Sequence, residues 1–199
     1  QVRDHYRGME RADSIATDPH KWLYAPIECG CTLIQNAQAM RNTFSLVPPY
    51  LRDPEALPWF SEFGIQQTRG FKALKLWLTL QQIGIEGYRK LISHDIDMAH
   101  VLQSRIRARS NFELIAAGPL SVTCFRYAPP GGGDLRALNQ SLLKIVQDEG
   151  RAFLTSTELD GQLVLRACIV NYRTREADLE VLLDAIEEAG EQVLNRTDG

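Results

Sequence analysis

The chain has 199 residues, 44% of them hydrophobic and 24% charged, and a formal net charge of −3 at pH 7. A chain of this size can bury a core of its own, since roughly two-thirds of the unfolded surface is lost in domains this large. The weak negative charge gives no electrostatic ground for nucleic acid or an anionic membrane as a partner. No apolar run approaches the ~20 residues that a membrane-spanning helix needs. Gln1-Val2-Arg3-Asp4-His5 does not form a signal peptide, so a cytoplasmic location is expected. Opening on Gln1 and reaching Asp18-Pro19-His20-Lys21 almost at once, the sequence reads as part of a longer protein.

In chain order, residues 12–17 are short and mixed and lead into Asp18-Pro19, where proline confines the preceding residue to extended conformations. A strand ending at a loop is predicted there. After Lys21 come the apolar residues Trp22 to Ala25, then Cys31-Thr32-Leu33-Ile34 as a second strand, so two strands bracket the lysine. The spacing Cys29-Gly30-Cys31 is narrower than zinc sites use and lacks a second pair, so no metal is expected. Cys29, Cys31, Cys124 and Cys168 read instead as small buried thiols in strands.

From Phe44 to Gly64 no helical or strand period persists, and prolines and aromatics punctuate the segment. A stretch this long without regular structure is usually a lid or binding loop; an ordinary surface loop stapled by its aromatics is the alternative. Helical spacing returns at Phe71, Leu74, Trp77, Leu78, Gln81 and Ile85 and is interrupted at Gly84 and Gly87. A second helix is predicted from about Tyr88 to Arg109, long enough to bridge two domains. Beyond Asn111 the order is strand, strand, helix, hairpin and helix. Phe112–Ile115 and Ser121–Tyr127 read as strands, Asp134 caps a helix ending at Gly150, Asp160-Gly161 turns a hairpin, and a last helix starts at Thr174. Pro129-Pro130-Gly131-Gly132-Gly133 lacks the strand, Lys-Ser/Thr and helix of a phosphate loop and reads as a connector.

A lysine amine that follows a strand, beside polar groups and an aromatic residue, suits condensation with an aldehyde. The segment Ala12-Asp13-Ser14-Ile15-Ala16-Thr17-Asp18-Pro19-His20-Lys21-Trp22-Leu23 resembles the cofactor-lysine segment of the group II pyridoxal phosphate-dependent decarboxylases, which include aromatic L-amino-acid, histidine and glutamate decarboxylases. The resemblance continues through Val47-Pro48-Pro49-Tyr50-Leu51-Arg52, Arg69-Gly70-Phe71-Lys72-Ala73-Leu74-Lys75-Leu76-Trp77 and Val164-Leu165-Arg166-Ala167-Cys168.

The resemblance implies an α/β, fold-type I PLP-dependent transferase-like chain: residues 1–95 as the end of the cofactor-binding large domain with its catalytic loop, and 96–199 as a small C-terminal α/β domain with an antiparallel sheet. It also implies that Lys21 forms the Schiff base with pyridoxal 5'-phosphate and that His20 contacts the phosphate region. Asp18, where relatives often carry asparagine, is expected to orient the loop, because a carboxylate against a phosphate is electrostatically awkward. Tyr50 matches the family's mobile-loop tyrosine, a general acid for the former α-carbon; phenylalanine there resembles aldehyde synthases. Arg166 matches the carboxylate-binding arginine and is expected to hold the substrate acid, with an interdomain salt bridge as the alternative. Arg69 is a landmark beside the loop. His5, His94 and His100 lack such context and read as solvated or helix-surface histidines.

The implied activity is decarboxylation of an L-amino acid, aromatic by preference, to the amine and carbon dioxide in a full-length homodimer. The family's aspartate for the pyridine nitrogen, its ring-stacking residue and its phosphate loop normally precede the lysine, so none is assigned here, and the fragment alone is expected to be inactive. The alternatives are an aldehyde synthase or carbon-carbon lyase on the same fold, and a noncatalytic dimerisation or interaction fragment.

Overall fold

The computed structural model describes residues 2–51 and 59–197. Arg52, Asp53-Pro54 and Pro58 of the predicted loop lie outside the described residues. Two compact units divide the chain, Arg3–Tyr88 and Arg89–Gly199, the latter with Gln1–Val2.

In the first unit, strands β1 (Ser14–Thr17) and β2 (Cys31–Ile34) pair antiparallel, with Ser14 opposite Ile34 and Thr17 opposite Cys31. Both strands stand where the sequence places them, and the connection between them carries Lys21. Helix α1 (Ala37–Phe44) follows and has no counterpart in the sequence-based expectations. Eight residues are too few for a helical period to declare itself. Its start is marked instead by Asn36, whose side-chain oxygen accepts the Ala39 N–H at 2.9 Å. The Phe44–Gly64 segment is less irregular than its sequence implies, with 3₁₀ turns at Pro49–Leu51 and Phe60–Phe63.

Helix α2 (Lys72–Ala108) is two helical segments joined across a kink, as the sequence implies, but the break falls at one of the two glycines. Only Gly84 leaves helical geometry, at φ 67° and ψ 167°, a conformation that a residue with a Cβ reaches only at a cost. Gly87 stays helical. The apolar stripe before the kink is solvent-facing among the described residues: Leu74, Trp77 and Leu78 are 43%, 56% and 52% exposed.

The second unit follows its predicted grammar. Strands β3 (Phe112–Ala117), β4 (Val122–Tyr127), β5 (Thr155–Leu159) and β6 (Gln162–Cys168) form an antiparallel sheet in the order β3-β4-β6-β5. Helices α3 (Leu135–Glu149) and α4 (Glu176–Thr197) complete it. Asp134 caps α3 by accepting the Arg136 and Ala137 N–H groups, and Gly150 ends it at φ 71°. Asp160 and Gly161 both take positive φ, the geometry of a tight hairpin turn.

Strand residues of one parity, Phe125, Tyr127, Leu165 and Ala167, meet Leu102 and Ile106 of α2, Leu142 and Val146 of α3, and Leu183 and Ile186 of α4 in one core. Three features lock this packing. Asn139, fully buried, accepts the Tyr127 N–H at 2.9 Å and donates to the Tyr127 carbonyl at 2.8 Å, so α3 satisfies β4 beyond Phe125, where its pairing with β6 ends. Gly190 lets the Tyr127 ring lie against α4, since a Cβ there would sit 2.3 Å from the ring. The Arg109 guanidinium spans Glu180, Asp184 and Glu187 on one face of α4.

The thiol expectation holds only in part. Cys29 and Cys124 are buried, but Cys168 is exposed and Cys29 lies outside a strand. His94 is not solvated either: its ring Nε2 donates to the Thr174 carbonyl at 2.8 Å, while His5 and His100 are exposed.

Candidate active site

Between β1 and β2 the chain makes two consecutive turns. The Lys21 N–H donates to the Asp18 carbonyl at 2.9 Å, and the Tyr24 N–H donates to the Lys21 carbonyl at 3.0 Å. Tyr24 takes φ 51°, which reverses the chain so that the Ala25 N–H reaches the Pro19 carbonyl at 3.0 Å. The turns are anchored from α2 by Tyr88, buried, whose hydroxyl donates to the Leu23 carbonyl at 2.8 Å. Burial pushes the Tyr88 phenol up and keeps it protonated.

Asp18, His20 and Lys21 are brought together by these turns. The Lys21 Nζ lies 2.5 Å from the Asp18 carboxylate, and both side chains are about half exposed or more, at 64% and 46%. Their hydrogen bond, then their Coulomb attraction, holds the Asp18 carboxyl below its ordinary value of 3.8, with His20 adding a smaller pull. The His20 ring Nδ1 lies 2.8 Å from the Cys29 carbonyl. A carbonyl only accepts, so Nδ1 carries a proton, and the opposite nitrogen Nε2 bears one only in the imidazolium. Beside the lysine, the Trp22 indole N–H is buried with no hydrogen-bond partner among the described residues.

Tyr50 stands elsewhere in the first unit, in the 3₁₀ turn Pro49–Leu51, and its side chain is 83% exposed. Arg166 lies in β6 of the second unit, opposite Cys124 in β4. Its half-buried guanidinium makes no hydrogen bond or ion pair among the described residues, whereas Arg126, also on β4, is paired with Glu113. Arg69 likewise makes no hydrogen bond or ion pair among the described residues. The roles of Cys29, Tyr88 and the Trp22 indole N–H leave no mark in the sequence, because each depends on a tertiary contact or on burial.

The sequence profile of the pyridoxal-dependent decarboxylase conserved domain matches residues 1–128. The chain belongs to that family. It is 34% identical over 194 residues to an aromatic-L-amino-acid decarboxylase of Bacillus atrophaeus, covering 94% of this chain and 40% of the relative. It is 26% identical to a phenylacetaldehyde synthase of a Rosa hybrid cultivar, over 98% of this chain and 41% of that protein. Among solved structures, Oryza sativa TDC with PLP and tryptamine superposes with a TM-score of 0.87 at 25% identity, over 96% of this chain and 41% of that one. The chain thus spans about two-fifths of the length of these relatives.

The family's cofactor is pyridoxal phosphate, and the lysine turns fit it chemically. They offer one exposed primary amine for the aldehyde, an imidazole whose outer nitrogen is unengaged, and a single carboxylate already faced by a cation. Among the described residues the chain contains no helix long and apolar enough to cross a membrane.

The Lys21–Asp18 pair makes a pH prediction. A carboxyl whose pKa is depressed by folding keeps its pair above the unfolded value and loses it as pH falls through the folded one. The Asp18 carboxyl resonance is therefore expected to titrate below 3.8, and Lys21→Ala is expected to raise its midpoint. An unchanged midpoint in the variant would show that the lysine is not what holds it down.

Proposed function

We propose that the full-length protein is a pyridoxal phosphate-dependent decarboxylase of aromatic L-amino acids, releasing the amine and carbon dioxide. The observation that carries this reading is the Asp18-His20-Lys21 turn, with an exposed amine, in a chain that belongs to the pyridoxal-dependent decarboxylases. The aromatic preference rests on the relatives' names. In this reading the first unit is the end of the cofactor-binding domain and the second is the small C-terminal domain. The protein acts as a cytoplasmic homodimer.

When bound, pyridoxal phosphate supplies the ring that takes up the electron pair left as carbon dioxide departs. Lys21 would hold the cofactor through its exposed primary amine. Asp18 orients the Lys21 side chain between turnovers, as their 2.5 Å contact supports. His20 faces the phosphate with the Nε2 edge of its ring, the edge opposite the nitrogen that meets the Cys29 carbonyl. Arg166, whose guanidinium makes no hydrogen bond or ion pair among the described residues, takes the substrate carboxylate through parallel hydrogen bonds. Tyr50 donates its phenolic proton to the former α-carbon and so closes the decarboxylation route to the amine.

The aldehyde-forming alternative is supported by the similarity to phenylacetaldehyde synthase; the phenol at position 50 favours the amine. Incubating the full-length protein with L-tryptophan, L-tyrosine, L-phenylalanine and L-glutamate, then quantifying products by chromatography, tests both. Amines from the aromatic substrates are expected, and glutamate is expected to be a poor substrate. Aldehyde as the main product would replace the proposal by the alternative. For Tyr50→Phe, amine formation is expected to fall by about 10²-fold or more, the usual contribution of a positioned general acid, and the aldehyde share to rise.

A further inference from the structure

The Tyr50 phenol is 83% exposed and makes no ring contact or hydrogen bond among the described residues. Among the described residues no side-chain contact positions it, so its position depends on the backbone of the turn Pro49–Leu51 and on how that turn is held at either side. Glu62 joins those two sides. Its carboxylate Oε2 accepts from Arg41 Nε at 2.7 Å and from the Ser45 hydroxyl at 2.8 Å, and Oε1 accepts the Trp59 N–H at 3.0 Å. Arg41 and Ser45 form the last turn of α1, the Ser45 N–H closing on the Arg41 carbonyl at 2.8 Å, and they precede Tyr50. Trp59 and Glu62 follow Tyr50 and open the 3₁₀ turn Phe60–Phe63.

The Glu62 side chain is 6% exposed, although most carboxylates stay in water. Burying a charge is unfavourable unless it is paired and hydrogen-bonded, and here three donors from both flanks of one segment meet it. The joint costs the chain the entropy of closing the intervening loop, which a charge-assisted cluster can offset. A small cleft of mixed polar and apolar lining, which includes Val47, Pro48, Ser61 and Gln67, adjoins the same carboxylate.

We propose that Glu62 is the positioning residue for Tyr50: its carboxylate sets the span between Ser45 and Trp59 and thereby presents the phenol to the reacting carbon. The inference rests on the reading of Tyr50 as proton donor. Glu62 touches neither substrate nor cofactor and acts through Tyr50 alone. Its absence is therefore expected to lower kcat for amine formation about as much as Tyr50→Phe does, with KM for the aromatic substrate unchanged.

The test uses the full-length protein carrying Glu62→Ala, Glu62→Gln, Tyr50→Phe and the double variant Tyr50→Phe/Glu62→Ala. Without cofactor, hydrogen exchange at the Trp59 amide is expected to quicken at least tenfold in Glu62→Ala. In Glu62→Gln, which keeps an acceptor, it is expected to quicken less. With cofactor and substrate, kcat is expected to fall in Glu62→Ala and to recover in part in Glu62→Gln, and the double variant is expected to be no slower than Tyr50→Phe, because residues acting as a unit are not additive. Should Glu62→Ala fail to fold, Glu62→Gln alone and combined with Tyr50→Phe gives the same comparison. Faster Trp59 exchange with unchanged kcat, or losses that add in the double variant, would overturn the positioning role alone. An unimpaired Tyr50→Phe would overturn the proton-donor reading and this inference with it.

Discussion

Lys21→Arg is expected to abolish the pyridoxyl adduct that borohydride reduction traps on the full-length protein, and with it all amine formation. Arginine preserves the positive charge beside Asp18, so the ion pair that shapes the turn has a substitute. What arginine lacks is a primary amine able to condense with an aldehyde at neutral pH, since its guanidinium stays protonated. The change therefore separates electrostatics from covalent chemistry. Lys21 is 64% exposed, and a replacement that keeps the charge there is expected to change stability by less than about 0.5 kcal/mol. Peptide mass spectrometry reads the adduct, and thermal unfolding of the cofactor-free protein reads the stability. An adduct that persists on another lysine in the variant would remove Lys21 from the chemistry. Loss of the adduct together with a collapse in stability would show that the amine serves the fold.

The sequence displays the elements whose signals are local. Asp134 before an apolar period, Asp160-Gly161 between two alternating runs, and extended residues before Asp18-Pro19 each carry a start, a turn or a stop within a few positions. All three stand in the structure where the sequence puts them. What escapes sequence reasoning is contact between distant positions. Glu62 reads as one charged residue in an aromatic loop, and only the fold shows it buried against Arg41 and Ser45. His20 is visible as a neighbour of the lysine, but the Cys29 carbonyl that fixes its proton is not. Periodicity also reports which face of a helix is apolar without naming what covers it. Leu74, Trp77 and Leu78 form such a face on α2 and are exposed among the described residues of a chain that spans two-fifths of its relatives.

Phe125→Ala is expected to destabilise the second unit by about 3–5 kcal/mol, the usual range for removing a fully buried aromatic side chain. Phe125 is completely buried in the middle of β4, its ring 6.1 Å from that of Phe112, which itself meets Tyr127 edge-on at 5.5 Å. Truncation forfeits the apolar transfer energy and leaves a cavity that the neighbours fill poorly. Those neighbours are not free to collapse. Asn139 holds the Tyr127 backbone, and Gly190 already brings the Tyr127 ring into close approach with α4. The matched control is Phe153→Ala in the same unit, where the ring is 79% exposed and the same chemical change is expected to cost less than about 0.5 kcal/mol. In a chain of this length about 1 kcal/mol moves the midpoint by roughly 2–4 °C, so scanning calorimetry is expected to lower the transition of Phe125→Ala by roughly 10 °C and to leave Phe153→Ala near the parent. Equal shifts in the two variants would mean that burial in the sheet is not what separates them. The core assigned to β4, α3 and α4 would then be wrong.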